Sequence, residues 1–267
     1  MAEATETFQR SGGGLLGPVE RSRDHLPLLQ WLLVNALAAF GFLATWWFGL
    51  LGLMLQNDRS YISLAILLVY LGMTAVCFLS VAWISREGDA ARRVSEAVRR
   101  ADGDLVVQGE RVTTQSGETL EPCEMTRHIR NLMVKARIGG AGQADQSVLL
   151  QALAERLKSR QRIGWFVAGV LFKLGLLGTV IGFIIMLSPI GAIDAYDAST
   201  MKDALTTMSG GMAVALFTTL AGLVAGVLLG VQYYLLDQAS GRLFAQILET
   251  TEVYVAPRLG PSGRAQA

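Results

Sequence analysis

The sequence predicts an all-α integral membrane protein with four transmembrane helices and a helical cytoplasmic extension, and three observations carry that expectation. The 267 residues are 52% hydrophobic and 17% charged, with a mean hydropathy of +0.41, whereas a soluble domain carries roughly 25% charged residues. Four stretches are nearly bare of charge: residues 26–55, 60–85 and 204–236 contain none, and 163–193 contains only Lys173. Each exceeds the roughly 20 residues that take a helix across the hydrocarbon core. The third observation is where the basic residues gather, which is between the second and third stretches.

In chain order, residues 1–25 mix Glu3, Glu6 and Glu20 with Arg10, Arg21 and Arg23 around the run Gly12-Gly13-Gly14, and read as a cytoplasmic tail. The apolar stretch that follows is too long for a signal peptide. Residues 26–85 form a first hairpin, turned by Gln56, Asn57, Asp58 and Arg59. Lipid offers backbone amides no partner, so these spans must be helical throughout. Residues 86–162 carry 14 Lys and Arg against 11 Asp and Glu, with Arg92, Arg93, Arg99, Arg100, Arg156, Lys158, Arg160 and Arg162 near the membrane ends. By the positive-inside rule this segment and both termini are cytoplasmic.

Within 86–162, Val94, Ala97 and Val98 continue the second span as an amphipathic helix, and 102–122 reads as a polar loop. A helix is expected over 123–137, broken by Gly139, Gly140 and Gly142, and another from 146 into the third span. Residues 163–236 form the second transmembrane hairpin, with Asp194, Asp197, Lys202 and Asp203 at its turn, and 237–267 form a cytoplasmic C-terminal helix and tail. Trp31, Trp46, Trp47, Trp83 and Trp165 mostly fall near span ends and read as interface anchors.

Net charge of +1 gives no electrostatic basis for a nucleic-acid partner. Cys77 and Cys123 are expected to be free thiols. No nucleophile elbow, phosphate loop or metal-ligand cluster appears, and His25 and His128 stand apart from Cys123, so no enzymatic activity is expected.

The second hairpin holds the residues of interest. Gly175, Gly178, Thr179 and Gly182 fall on one face of the third span at 3.6 residues per turn. Gly211, Ala215, Thr218, Thr219, Gly222, Gly226 and Gly230 lie along one broad face of the fourth. Small residues at such spacing let helix backbones approach closely in a membrane, and that packing is the commonest meaning of Gly and Thr there. Ion conduction is the alternative reading of the same hydroxyls.

The run Leu174-Gly175-Leu176-Leu177-Gly178-Thr179-Val180-Ile181-Gly182 resembles the segment opening the second helix of ExbB and TolQ and the third of MotA. The run Gly211-Met212-Ala213-Val214-Ala215-Leu216-Phe217-Thr218-Thr219-Leu220-Ala221-Gly222 is similar to the last helix of MotA and of its sodium-using relative PomA. The resemblance to the MotA/TolQ/ExbB proton channel family spans about residues 162–242. It implies a homopentamer in the bacterial inner membrane, surrounding a dimer of a single-span MotB/TolR/ExbD-like subunit that carries a membrane Asp. The ion-motive force drives rotation of such a complex. The resemblance places the ion pathway at Thr179, Thr219 and, less directly, Thr218, with Gly175, Gly178, Gly182, Gly222 and Gly226 packing behind the pore face. Lys173 reads either as a side chain snorkelling to the inner headgroups or as the cytoplasmic mouth.

No Asp, Glu or His lies in any span, so a titrating carboxylate must come from the partner. Protons are favoured over sodium as the translocated ion. Departures bear on the branch: flagellar stators carry prolines where this chain has Phe172-Lys173 and Val231-Gln232-Tyr233, and Val214 stands where ExbB and TolQ have glutamate. These point to a motor powering envelope work, with a flagellar stator or a purely structural scaffold as alternatives.

Overall fold

The computed structural model describes residues 26–49, 52, 61–101, 105–109, 111–114, 117–139, 147–192 and 198–259. The expected tail 1–25, the turn at Gln56 to Arg59, the break at Gly140 and Gly142 and the acidic turn at Asp194 and Asp197 lie outside them.

Helix α1 (Leu26–Trp47) is followed by α2 (Ile62–Arg100), which runs without interruption from the second apolar stretch into its polar continuation. Strands β1 (Val106–Gln108) and β2 (Arg111–Thr113) form an antiparallel hairpin. Helix α3 (Glu124–Gly139) precedes α4 (Ser147–Leu187), which closes in a 3₁₀ turn (Ser188–Ala192). Helix α5 (Ala198–Thr250) passes through a π-helical turn (Thr251–Val255) into α6 (Ala256–Leu259). Four of these helices are long and apolar enough to cross a membrane, and the protein is a multi-pass membrane protein.

One segment departs from expectation. Residues 102–122 read as a loop, yet Val106 to Thr113 pair as a hairpin, with Val112 buried and the Gly109 turn at positive φ. Three-residue strands leave too short an alternation for a sequence pattern to register.

Two cores stack along the helices. In the charge-free part, Trp31 of α1, Ile66, Cys77, Val81 and Ile84 of α2, Ala168 and Leu171 of α4, and Ala225, Leu229 and Tyr233 of α5 pack together. Trp31, expected at an interface, is buried and tilts against Phe78 at 5.1 Å between ring centroids. Most of α1 beyond it faces outward: Leu37, Phe40, Leu43 and Trp46 are exposed. In the polar part, Ala91, Val94 and Val98 of α2, Met125, Ile129 and Leu132 of α3, Leu153 and Leu157 of α4, and Leu243 and Ile247 of α5 form a second core. The segment 86–162 thus shares its core with the C-terminal segment 237–267.

Polar contacts fix that lower bundle. The backbone N–H of Glu124, at the positive N-terminal end of α3, donates to the Glu87 carboxylate of α2. Arg93 grips Glu121 with two hydrogen bonds of 2.7 and 3.1 Å. The pair is exposed, so its contribution is orientation more than stability. Ser95 and Thr250 share a buried hydroxyl contact of 3.1 Å, and Arg258 donates to the Val98 carbonyl.

Burial pushes the Cys123 thiol above its usual range, and Cys77 has no exposed surface. Since the thiolate is the reactive form, iodoacetamide at neutral pH is expected to leave both cysteines of the folded protein intact while the denatured chain is alkylated fully. Mass spectrometry of the two samples checks this.

Candidate functional site

The seam between α4 and α5 is built from small residues because the two backbones touch. A Cβ placed on Gly175 would stand 3.2 Å from the Gly222 Cα and 3.3 Å from the Thr218 carbonyl oxygen. On Gly182 it would stand 2.5 Å from the Ala215 nitrogen, and on Gly211 2.7 Å from the Gly182 carbonyl oxygen. Gly178 receives the Thr218 side chain, and Gly226 lies under the Phe172 ring. Each glycine that the sequence placed on a small-residue face therefore contacts the opposite helix of the same hairpin, apart from Gly230, which reaches only the edge of the Trp165 ring at 4.0 Å.

The three threonines divide. Thr218 is fully buried in the seam, its hydroxyl donating to the Val214 carbonyl at 2.8 Å. Thr219 is partly exposed; its hydroxyl donates to the Ala215 carbonyl at 3.0 Å and lies 3.3 Å from the Gly175 carbonyl across the seam. Thr179, also partly exposed, donates to the Leu176 carbonyl at 2.5 Å. Gly175 is one helical turn from Thr179, so Thr179 and Thr219 stand at nearly the same level.

They also share a flank. The α1–α2 hairpin covers the side of the seam marked by Leu174 on α4 and Ala221 on α5. At about 100° per residue, Thr179 lies about 140° around α4 from Leu174, and Thr219 about 160° around α5 from Ala221. Both therefore point to the flank that α1 and α2 leave uncovered. Their hydroxyl protons are held by backbone carbonyls, so the oxygen lone pairs are what each offers outward. Lys173 is exposed and, two residues before Gly175, turns away from the seam.

Sequence reasoning missed a polar contact on the covered side. Gln232, treated only as part of the stretch where flagellar stators carry a proline, is fully buried and donates from Nε2 to Asn35 Oδ1 of α1 at 3.1 Å and to the Tyr70 hydroxyl of α2 at 3.3 Å. The signal was available: an amide inside an otherwise apolar span demands a partner.

These features define a class: a multi-pass helical protein whose terminal hairpin is locked by a glycine seam and presents two hydroxyls on one open flank. Residues 125–249 match the model of the MotA/TolQ/ExbB proton channel family. The matched stretch takes in all of α4 and nearly all of α3 and α5, and begins well before the motifs that suggested it. Comparisons with curated proteins and with solved structures give no match.

Proposed function

We propose that this protein is the channel-forming subunit of an ion-motive-force-driven rotary motor in the bacterial inner membrane, with both termini cytoplasmic. Five copies surround a dimer of a single-span MotB/TolR/ExbD-like subunit, and protons pass between the pentamer and that subunit's membrane Asp. The observation that carries this reading is the pair Thr179 and Thr219 at one level on the uncovered flank, in spans without any Asp, Glu or His. Hydroxyls at such a surface orient water or ligate a desolvated ion but cannot titrate near neutral pH. A carboxylate approaching from a separate helix completes the relay. One charge crossing 100 mV supplies about 2.3 kcal/mol, enough to drive a conformational step.

The activity is transport, with no catalytic residue and no cofactor beyond the translocated ion. Absence of the stator prolines favours envelope work over a flagellar stator, which is the alternative within the family. A purely structural scaffold is the competing class, and the glycine seam by itself serves it equally well.

Co-reconstitution in liposomes separates them. With the partner present, an imposed proton gradient is expected to produce proton uptake, lost when the partner's Asp is replaced by Asn. A sodium gradient alone should drive none. Absence of flux under every partner condition would leave only the scaffold.

A further inference from the structure

The covered side of the terminal hairpin holds a polar group that the proton pathway does not use. Asn35 donates from Nδ2 to the Trp31 carbonyl at 2.9 Å, which leaves its Oδ1 as the acceptor facing α5. That orientation dictates how Gln232 sits: its Nε2 must face Asn35 Oδ1, and the same nitrogen reaches the Tyr70 hydroxyl. Both amide protons are then spent. The other end of the amide, Gln232 Oε1, is fully buried and meets no donor among the described residues. Flipping the amide does not help, because it would set Oε1 against Asn35 Oδ1, acceptor against acceptor.

A second group on the same turn shares this state. Tyr233 is 1% exposed, its ring filling the space beside Gly164 of α4, and its hydroxyl has no partner among the described residues. An acceptor and a donor, on consecutive residues and both sealed from lipid, lie where α1, α2, α4 and α5 converge. A buried carbonyl or hydroxyl without a hydrogen bond costs about 1–3 kcal/mol, and structures commonly relieve that cost with an ordered water.

The geometry points to a water-binding site within the charge-free core, in which ordered water donates to Gln232 Oε1 and hydrates the Tyr233 hydroxyl. Gln232 lies about 140° around α5 from Thr219 and about 20 Å along it, so the site is separate from the proposed pathway. It makes the junction between the two hairpins a wet one, where α1 and α2 are registered on α5 by hydrogen bonds that water can complete or replace as the helices shift.

X-ray radiolysis of the full chain in lipid nanodiscs tests this, because hydroxyl radicals form where water is bound. Tyr70 and Tyr233 are the reporters, and Met125, fully buried in the apolar lower core, is the dry reference. Tyr233 is expected to be modified at least about fivefold faster than Met125 despite equal burial, as a held water requires. In Gln232→Leu the modification of both tyrosines should fall at least about threefold, since the acceptor is gone. Modification of Tyr233 no faster than that of Met125 in the unaltered chain overturns the site, and so does labelling that Gln232→Leu leaves unchanged. Should the variant fail to fold, the Tyr233 to Met125 ratio in the unaltered chain decides alone.

Discussion

Replacing Thr219 with valine is expected to lower ion-dependent work by the assembled complex at least about tenfold, the kinetic equivalent of about 1.4 kcal/mol. Valine keeps the shape but removes the outward lone pairs and the contact with the Gly175 carbonyl. Assembly should survive, since a hydrogen bond between membrane helices contributes on average only about 0.6 kcal/mol. Thr219→Ser restores the oxygen and should restore most of the work. Thr218→Val makes the contrast: that hydroxyl is sealed in the seam, so the change should register in protein yield and not in work per complex. Measuring gradient-dependent work against the amount of intact complex separates the two. Undiminished work in Thr219→Val would remove this residue from the pathway.

A larger structural effect is expected in the seam. Gly222→Val places a Cβ 2.7 Å from the Gly175 Cα and 2.8 Å from the Leu171 carbonyl oxygen, both backbone atoms that cannot rotate aside. The helices must separate, which costs about 3 kcal/mol as overpacking and loses the small-residue contacts on either side. Gly178→Val meets the Thr218 side chain instead, which is itself enclosed and has no room to move. Both variants should accumulate less folded protein and unfold at a lower temperature. Gly169→Ala on α4 and Gly210→Ala on α5 meet nothing within 4 Å among the described residues and should be neutral. Thermal unfolding of the four proteins in one detergent checks the contrast, and equal midpoints would mean that the seam does not hold the hairpin.

Much of the architecture was legible because charge is so costly in lipid. Residues 26–55 and 204–236 declare themselves by composition, and the arginines from Arg86 to Arg100 mark where α2 leaves the apolar region. The site was legible in residue type but not in direction. Gly175, Gly178, Thr179 and Gly182 share a face on a helical wheel, yet the glycines turn into the seam while Thr179 falls at its edge. A wheel gives angles within one helix. Which angle meets a neighbour depends on where α1 and α2 dock, and that depends on long-range contacts such as Gln232 with Asn35, 197 residues apart. The hairpin at Val106 to Thr113 escaped for the opposite reason, its signal being entirely local and too short.

Helix α5 runs unbroken from Ala198 to Thr250, so the residues at the open flank and those in the lower core belong to one stiff rod. From Thr219 to Thr250 that rod is about 46 Å long at 1.5 Å per residue. A tilt of about 5° pivoting at Thr219 would therefore sweep its far end through about 4 Å. The far end is clasped to α2 through Ser95, Thr250 and the Arg258 contact, so α2 would be carried along with it. The protein thus has the proportions of a crank: a short throw at the open flank becomes a long one in the lower core.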